Sequence, residues 1–232
     1  MKIDIWTDIV CPFCYIGNTQ FNEALKNFAH KDKVEVVHHS FQLQSDAPRQ
    51  STGRKSYEDL AERKGESVAT MKEMFLSVAE AGKREGLAMN MLETTSVNTF
   101  NGHQLIHFAA KHGKQKEAIE AMFAAYFTDN KDVSDKAVLQ SIAEKLGFDV
   151  DAFTGSLEAD ESADAVRSDL DKAAALGIQG VPFFVIDDTF GISGARGVDV
   201  FLDALDKAWK ESHPLHMFDE GEENVCVDNS CV

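Results

Sequence analysis

Two cysteines three positions apart, Cys11 and Cys14, end an apolar stretch and enclose Pro12 and Phe13. Thiols at this spacing can close a disulfide when they sit at a helix start, where unpaired backbone N–H groups and the helix dipole favour a thiolate. In that arrangement Cys11 is the exposed nucleophile that forms a mixed disulfide, and Cys14, one turn further in, resolves it. Two other readings fit the pair: inert core cysteines, or half of a zinc site completed by Cys226 and Cys231. The second is weak, because Cys226 and Cys231 are spaced more loosely than structural zinc ligands usually are and stand in a polar, acidic tail.

The elements that must position the pair follow from apolar periodicity. Residues 2–10 carry Ile3, Ile5, Trp6, Ile9 and Val10, which reads as a buried strand. Pro12 suits the first turn of a helix, where its missing N–H costs nothing, and Ile16, Phe21, Ala24, Leu25 and Phe28 then recur at helical spacing. Val34, Val36, Val37, Phe41 and Leu43 give a second strand. Strand, helix and strand within about 40 residues form a βαβ unit with parallel strands and a right-handed crossover. A Cys-x-x-Cys beside such a unit signals thioredoxin-like chemistry rather than zinc.

Residues 45–56 are polar and rich in breakers, which marks a boundary. Helical periodicity then runs to about Leu176, through Met71, Phe75, Leu105, Met122 and Val166. Ser134 reads as a cap, and Gly147 and Gly177 as stops. Strand character returns at Phe183–Ile186 and Phe190–Ser193, joined by a tight turn at Asp187-Asp188. A last helix carries Phe201, Leu205, Ala208 and Trp209. The expected organisation is α/β, with residues 1–44 and 177–212 forming two halves of one βαβ…ββα unit, residues 45–176 a helical insertion, and residues 213–232 an acidic tail.

Gly180-Val181-Pro182 precedes a strand, a position where proline is tolerated and where a cis bond can fix a turn. Lacking an N–H, Pro182 leaves neighbouring loop groups free, so an extended substrate could pair with Val181. An ordinary strand-opening proline is the alternative, and the cysteine motif tips the balance against it. Cys226 and Cys231 would close a small loop that stabilises the fold little. They are either a second redox pair exchanging with Cys11 and Cys14 or thiols oxidised adventitiously. His103 and His107 are four apart on a helix, as metal ligands can be, yet no third ligand is evident and no metal is expected. The Met71/Met74/Phe75 and Met122/Phe123 stripes read as core before groove.

These residues resemble the DsbA-like thioredoxin superfamily, and within it the FrnE-like oxidoreductases. The matching segments are Thr7 to Gly17, then Val97-Asn98-Thr99 with His103 and Leu105, then Gly180 to Val185 and Ile192 to Ala195. The resemblance implies a thioredoxin fold interrupted by a helical domain, with Cys11 catalytic, Cys14 resolving and a cis-Pro182 beside them. The match at His103 implies that it faces the substrate groove; Val181, Pro12 and Phe13 are the other expected substrate-binding residues. Kappa-type glutathione transferases and hydroxychromene-carboxylate isomerases are similar over the same segments but use serine near the position of Cys11. Phe13 stands where the best-known periplasmic members have histidine, which predicts a less oxidising couple.

Composition bounds the rest. A net charge of −16 over 232 residues opposes binding to phosphate backbones or anionic lipid. No window approaches the roughly 20 apolar residues of a membrane span, and the N-terminus shows no secretory pattern. The expectation is a soluble, cytoplasmic protein, monomeric or homodimeric, without nucleic-acid or membrane partners. Its partners would be protein or small-molecule thiols and disulfides. It would hold no bound cofactor and would take electrons from glutathione or a thioredoxin-type reductant, in a reductase, isomerase or stress role. An isomerase or glutathione-dependent transferase on the same fold, and a redox-independent chaperone, are the rival functions.

Overall fold

The computed structural model describes residues 1–49 and 51–214. It opens with strand β1 (Lys2–Thr7), helix α1 (Pro12–Asn27) and strand β2 (Glu35–Ser40). Seven helices follow before the chain returns to the sheet: α2 (Ser56–Lys64), α3 (Val68–Arg84), α4 (Phe100–Lys111), α5 (Gln115–Phe123), α6 (Lys136–Lys145), α7 (Val150–Glu158) and α8 (Ala163–Ala175). The hairpin β3 (Phe183–Ile186) and β4 (Phe190–Ser193) and helix α9 (Val198–Ser212) complete the order.

The sheet runs β2-β1-β3-β4, with β1 parallel to β2 and antiparallel to β3. Central β1 is buried on both faces, and side chains alternate across it. Ile3 and Ile5 join Phe184 and Ile186 against Phe21, Phe28 and Phe201 of α1 and α9. Trp6 points the other way, into a smaller cluster with Ala173 at the end of α8 and Ile178. A separate large cluster fills the helical section and takes in Ile9 and Cys11 from the cysteine loop and Cys14 and Ile16 from the start of α1. Helix α1 is thus common to both large cores: its first turn packs toward the helices, its later turns against the sheet.

The turn at Asp187-Asp188 has both residues at positive φ, 46° and 52°, as a tight primed hairpin turn requires. Gly147 and Gly177 lie just past helix ends at φ 77° and 70°, where a side chain would be strained. One cap differs from the sequence reading. Asp135, not Ser134, caps α6, its carboxylate accepting from Ala137 N–H at 2.6 Å, while Ser134 bonds instead to Asp132. The second strand also ends at Ser40 rather than running on to Leu43. Beyond Thr7 the first strand turns into the cysteine loop, so the Phe41 N–H bond to Thr7 O, 2.9 Å, is the last rung.

Candidate active site

Cys11 is the N-cap of α1, in extended backbone (φ −88°, ψ 110°), with Pro12 entering the first turn. Its N–H donates to Asp8 O at 3.1 Å, and its carbonyl accepts from Cys14 N–H at 3.0 Å. Both cysteines are free thiols. The Cys11 thiol donates to the Val181 carbonyl at 3.4 Å, and the Val181–Pro182 peptide bond is cis. The Pro182 carbonyl accepts from Gly194 N–H at 2.8 Å, which ties the loop to the far end of β4. A close approach makes this possible: a Cβ on Gly17 would lie 3.0 Å from Pro182 Cγ and 3.5 Å from Ala195. Gly17 therefore lets α1 pass directly under the proline loop.

Cys11 is not exposed as the sequence reading had it: only 4% of its surface is accessible. The Val181 loop lies across the thiol on one side, and the packed residues of the helical section close the other. Cys14 is buried at 1%. Burial pushes its thiol up, and the neighbouring Cys11 adds to this, outweighing hydrogen bonds from Thr7 and the Asp8 backbone.

Access to Cys11 runs through a cavity of about 460 Å³ between the cysteine loop and α2 and α3. Pro12, Phe13 and Val181 lie on its wall with Cys11, so the geometry brings these four together. Phe13 and Leu43 also line it while being 47% and 46% exposed, so they flank its mouth. The Met71/Met74/Phe75 stripe divides: Met71 is core, whereas Met74 and Phe75 line the cavity. Met122 and Phe123 are core throughout. Residues unsuspected from the sequence also contribute: Tyr126 and Phe127, both buried and on a π-helical turn (Ala124–Thr128), and Arg63 and Lys64. Helical periodicity marks Tyr126 and Phe127 as apolar, but no spacing signal tells a cavity wall from core. The Tyr126 hydroxyl donates to Thr95 O at 2.8 Å, lies 3.0 Å from Ser56 Oγ, and is pushed up to about 12 by burial.

His103 does not face the groove, contrary to the expectation. It is 1% exposed, absent from the cavity wall, and sits with Nε2 3.3 Å from Asp8 Oδ1. The other Asp8 oxygen accepts from Leu43 N–H at 2.7 Å. A buried carboxylate needs such partners, so His103 serves to hold the cysteine loop against α4 and the segment after β2. His107 likewise turns to a carboxylate, Asp169, at 2.9 Å. Among the described residues no group of three His, Cys, Asp or Glu side chains is arranged to hold a metal. Cys226 and Cys231 lie outside the described residues.

A second buried cluster centres on His39, which with His38 is a core histidine of β2. His39 places Nδ1 2.6 Å from Asp169 Oδ1 and Nε2 2.6 Å from Asp4 Oδ1, and its ring stacks on Trp6 at 4.5 Å. Ionised carboxylates only accept, so both ring nitrogens donate and the imidazole is a cation. Burial opposes that charge, but the bonds that His39 donates to Asp169 and Asp4 prevail and its value is raised. Neighbouring His38 faces the opposite environment. Buried, beside the His39 cation and near Lys116, it is lowered to about 3.

A four-stranded mixed sheet flanked by helices, with two free thiols at the first helix start and a cis-proline loop across them, defines a thioredoxin-fold protein with a DsbA-type architecture. The chain belongs to the DSBA-like thioredoxin domain family, which it matches over residues 2–206. It is 31% identical over 222 residues to the uncharacterized protein YwbO of Bacillus subtilis (strain 168), covering 91% of this chain and 98% of that one. A crystal structure of a probable DsbA oxidoreductase from Streptomyces coelicolor superposes with a TM-score of 0.85 at 35% identity, covering 95% of this chain and 94% of that one. The cytosolic disulfide reductase DsbM of Pseudomonas aeruginosa, solved with GSH, shares the fold at a TM-score of 0.60 and 13% identity, covering 90% of this chain and all of that one. No helix among the described residues is long and apolar enough to cross a membrane.

Proposed function

We propose that the protein reduces or isomerises disulfides through Cys11 and Cys14, as a FrnE-like thiol–disulfide oxidoreductase. One observation carries the reading: of two free thiols at a helix start, Cys11 lines an open cavity beside Val181, while Cys14 is sealed behind it. The Cys11 thiolate attacks one sulfur of a substrate disulfide, the S–S bond breaks, and the departing thiolate takes a proton. Cys14 then attacks Cys11 Sγ, releasing the second substrate thiol and leaving a Cys11–Cys14 disulfide. An external dithiol or glutathione returns both cysteines to thiols, so no bound cofactor is needed. Pro12, Phe13 and Val181 contact the substrate, and the cis-Pro182 loop holds the Val181 carbonyl over the thiol. With Phe13 between the cysteines, no imidazolium stabilises the thiolate, and the couple is milder than a strongly oxidising one. A cytoplasmic setting suits a reductase, since thiols are kept reduced there.

The test uses the full chain with dithiothreitol and insulin. Cys11→Ser abolishes turnover, and Cys14→Ser accumulates a mixed disulfide on Cys11 detectable by intact mass. Turnover surviving in Cys11→Ser would sink the proposal.

A further inference from the structure

The cavity over Cys11 has two chemically different parts. Its walls are largely apolar, with Leu60, Met74, Phe75 and Val78 of α2 and α3 facing Val10 and Phe127. Part of its lining, however, is Arg63 and Lys64, consecutive cations in the last turn of α2. Asp59 partners Arg63, 3.2 Å from Nε. Among the described residues Lys64 has no carboxylate within 4.0 Å of its Nζ. In a chain of net charge −16, an anion is repelled over most of the surface; at this cavity it meets two adjacent cations. Cys11, 4% exposed, is reached along the cavity and not from an open face. A volume of about 460 Å³ is within the range that encloses a small ligand.

Resting on the exchange reading above, we propose that the cavity selects a small-molecule disulfide with an apolar body and a carboxylate held by Lys64 and Arg63. The apolar body displaces water from the α2 and α3 walls, a favourable transfer, while the carboxylate stays at the cationic lining. The chemistry balances within the chain. Cys11 and Cys14 supply two electrons, the substrate S–S bond is cleaved to two thiols, and a Cys11–Cys14 disulfide forms.

The test is a single-turnover reaction of the reduced full chain carrying Cys226→Ser and Cys231→Ser, so that only Cys11 and Cys14 react. Two chromogenic disulfides are compared: the Ellman disulfide, aromatic with a carboxylate on each ring, and the uncharged dipyridyl disulfide. Lys64→Gln, a change at an exposed side chain, lowers the ratio of their rate constants by about fivefold or more, because a nearby cation speeds the approach of an anion. Naphthoate slows the Ellman reaction, whereas acetate at the same concentration does not. An unchanged ratio in Lys64→Gln overturns the carboxylate assignment, and acetate as effective as naphthoate overturns the apolar one. If adding Cys11→Ser leaves both reactions at the parent rate, the exchange reading itself fails. If Cys11 reacts fully but the ratio does not move, that reading stands and only the substrate class falls.

Discussion

At the scale of single residues, the geometry over Cys11 depends on a side chain that is absent. Gly17 leaves room for Pro182 Cγ at the 3.0 Å separation a Cβ would have. Gly17→Ala gives α1 a better helix former, worth about 1 kcal/mol, and pushes the proline loop outward by a few tenths of an ångström. We therefore expect nearly unchanged stability in urea, because the two effects offset. Disulfide exchange slows about tenfold as Val181 shifts from the position that receives the substrate over Cys11, small misplacements around reacting groups being costly. Stopped-flow rates on the reduced protein check this, and a wild-type rate would mean the loop adapts without moving Val181. The cysteines and Pro182 were legible from spacing and breaker chemistry. Gly17 carries no signal of its own in the sequence, because the reason for it is a contact with a residue 165 positions later.

At the scale of elements, the strand β2 carries two adjacent histidines with opposite charge preferences. His39 is raised, so the stability it contributes is full below its unfolded value of 6.5 and is lost as pH rises through the folded value. His38 is lowered to about 3, so the folded state excludes its proton and stability falls as pH drops below 6.5. Asp4 and Asp169 are both lowered, and their contribution is lost only as pH falls through and below the ordinary 3.8. Urea unfolding at pH 4.5 to 9 separates these. His39→Gln costs more at pH 6 than at pH 9, and the cost at pH 6 is about 3–5 kcal/mol, as for a broken buried pair. His38→Leu reduces the loss that the parent suffers between pH 6.5 and 4.5. Equal costs for His39→Gln at pH 6 and 9 would count against the imidazolium. The elements themselves were readable from period two in β1 and period 3.6 in α1. The role of His103 was not, because an i, i+4 histidine pair looks the same whether it faces a groove or two buried carboxylates on other elements.

At the scale of the whole molecule, α1 joins the two large cores, which predicts one cooperative transition despite the long helical stretch between β2 and β3. Trp6 and Trp209 report on the sheet and the helices packed on it, while helical circular dichroism is dominated by α2 to α8. The two signals are expected to coincide in urea, and a helical transition at distinctly different denaturant would show that the helices fold apart from the sheet. The order of elements was legible because each carries its own period and breakers. The sharing of α1 was not, since amphipathicity tells that a helix has a buried face but not which partner covers each turn. That sharing has a mechanical side. Cys11 sits where α1 enters the helical core, and Val181, on the loop leading into the sheet, packs against that core and against the Trp6 cluster, so the 3.4 Å contact between them ties the cysteine loop to both. Moving the Val181 loop would change the cover over the thiol, so access to Cys11 depends on how that loop seats against both clusters.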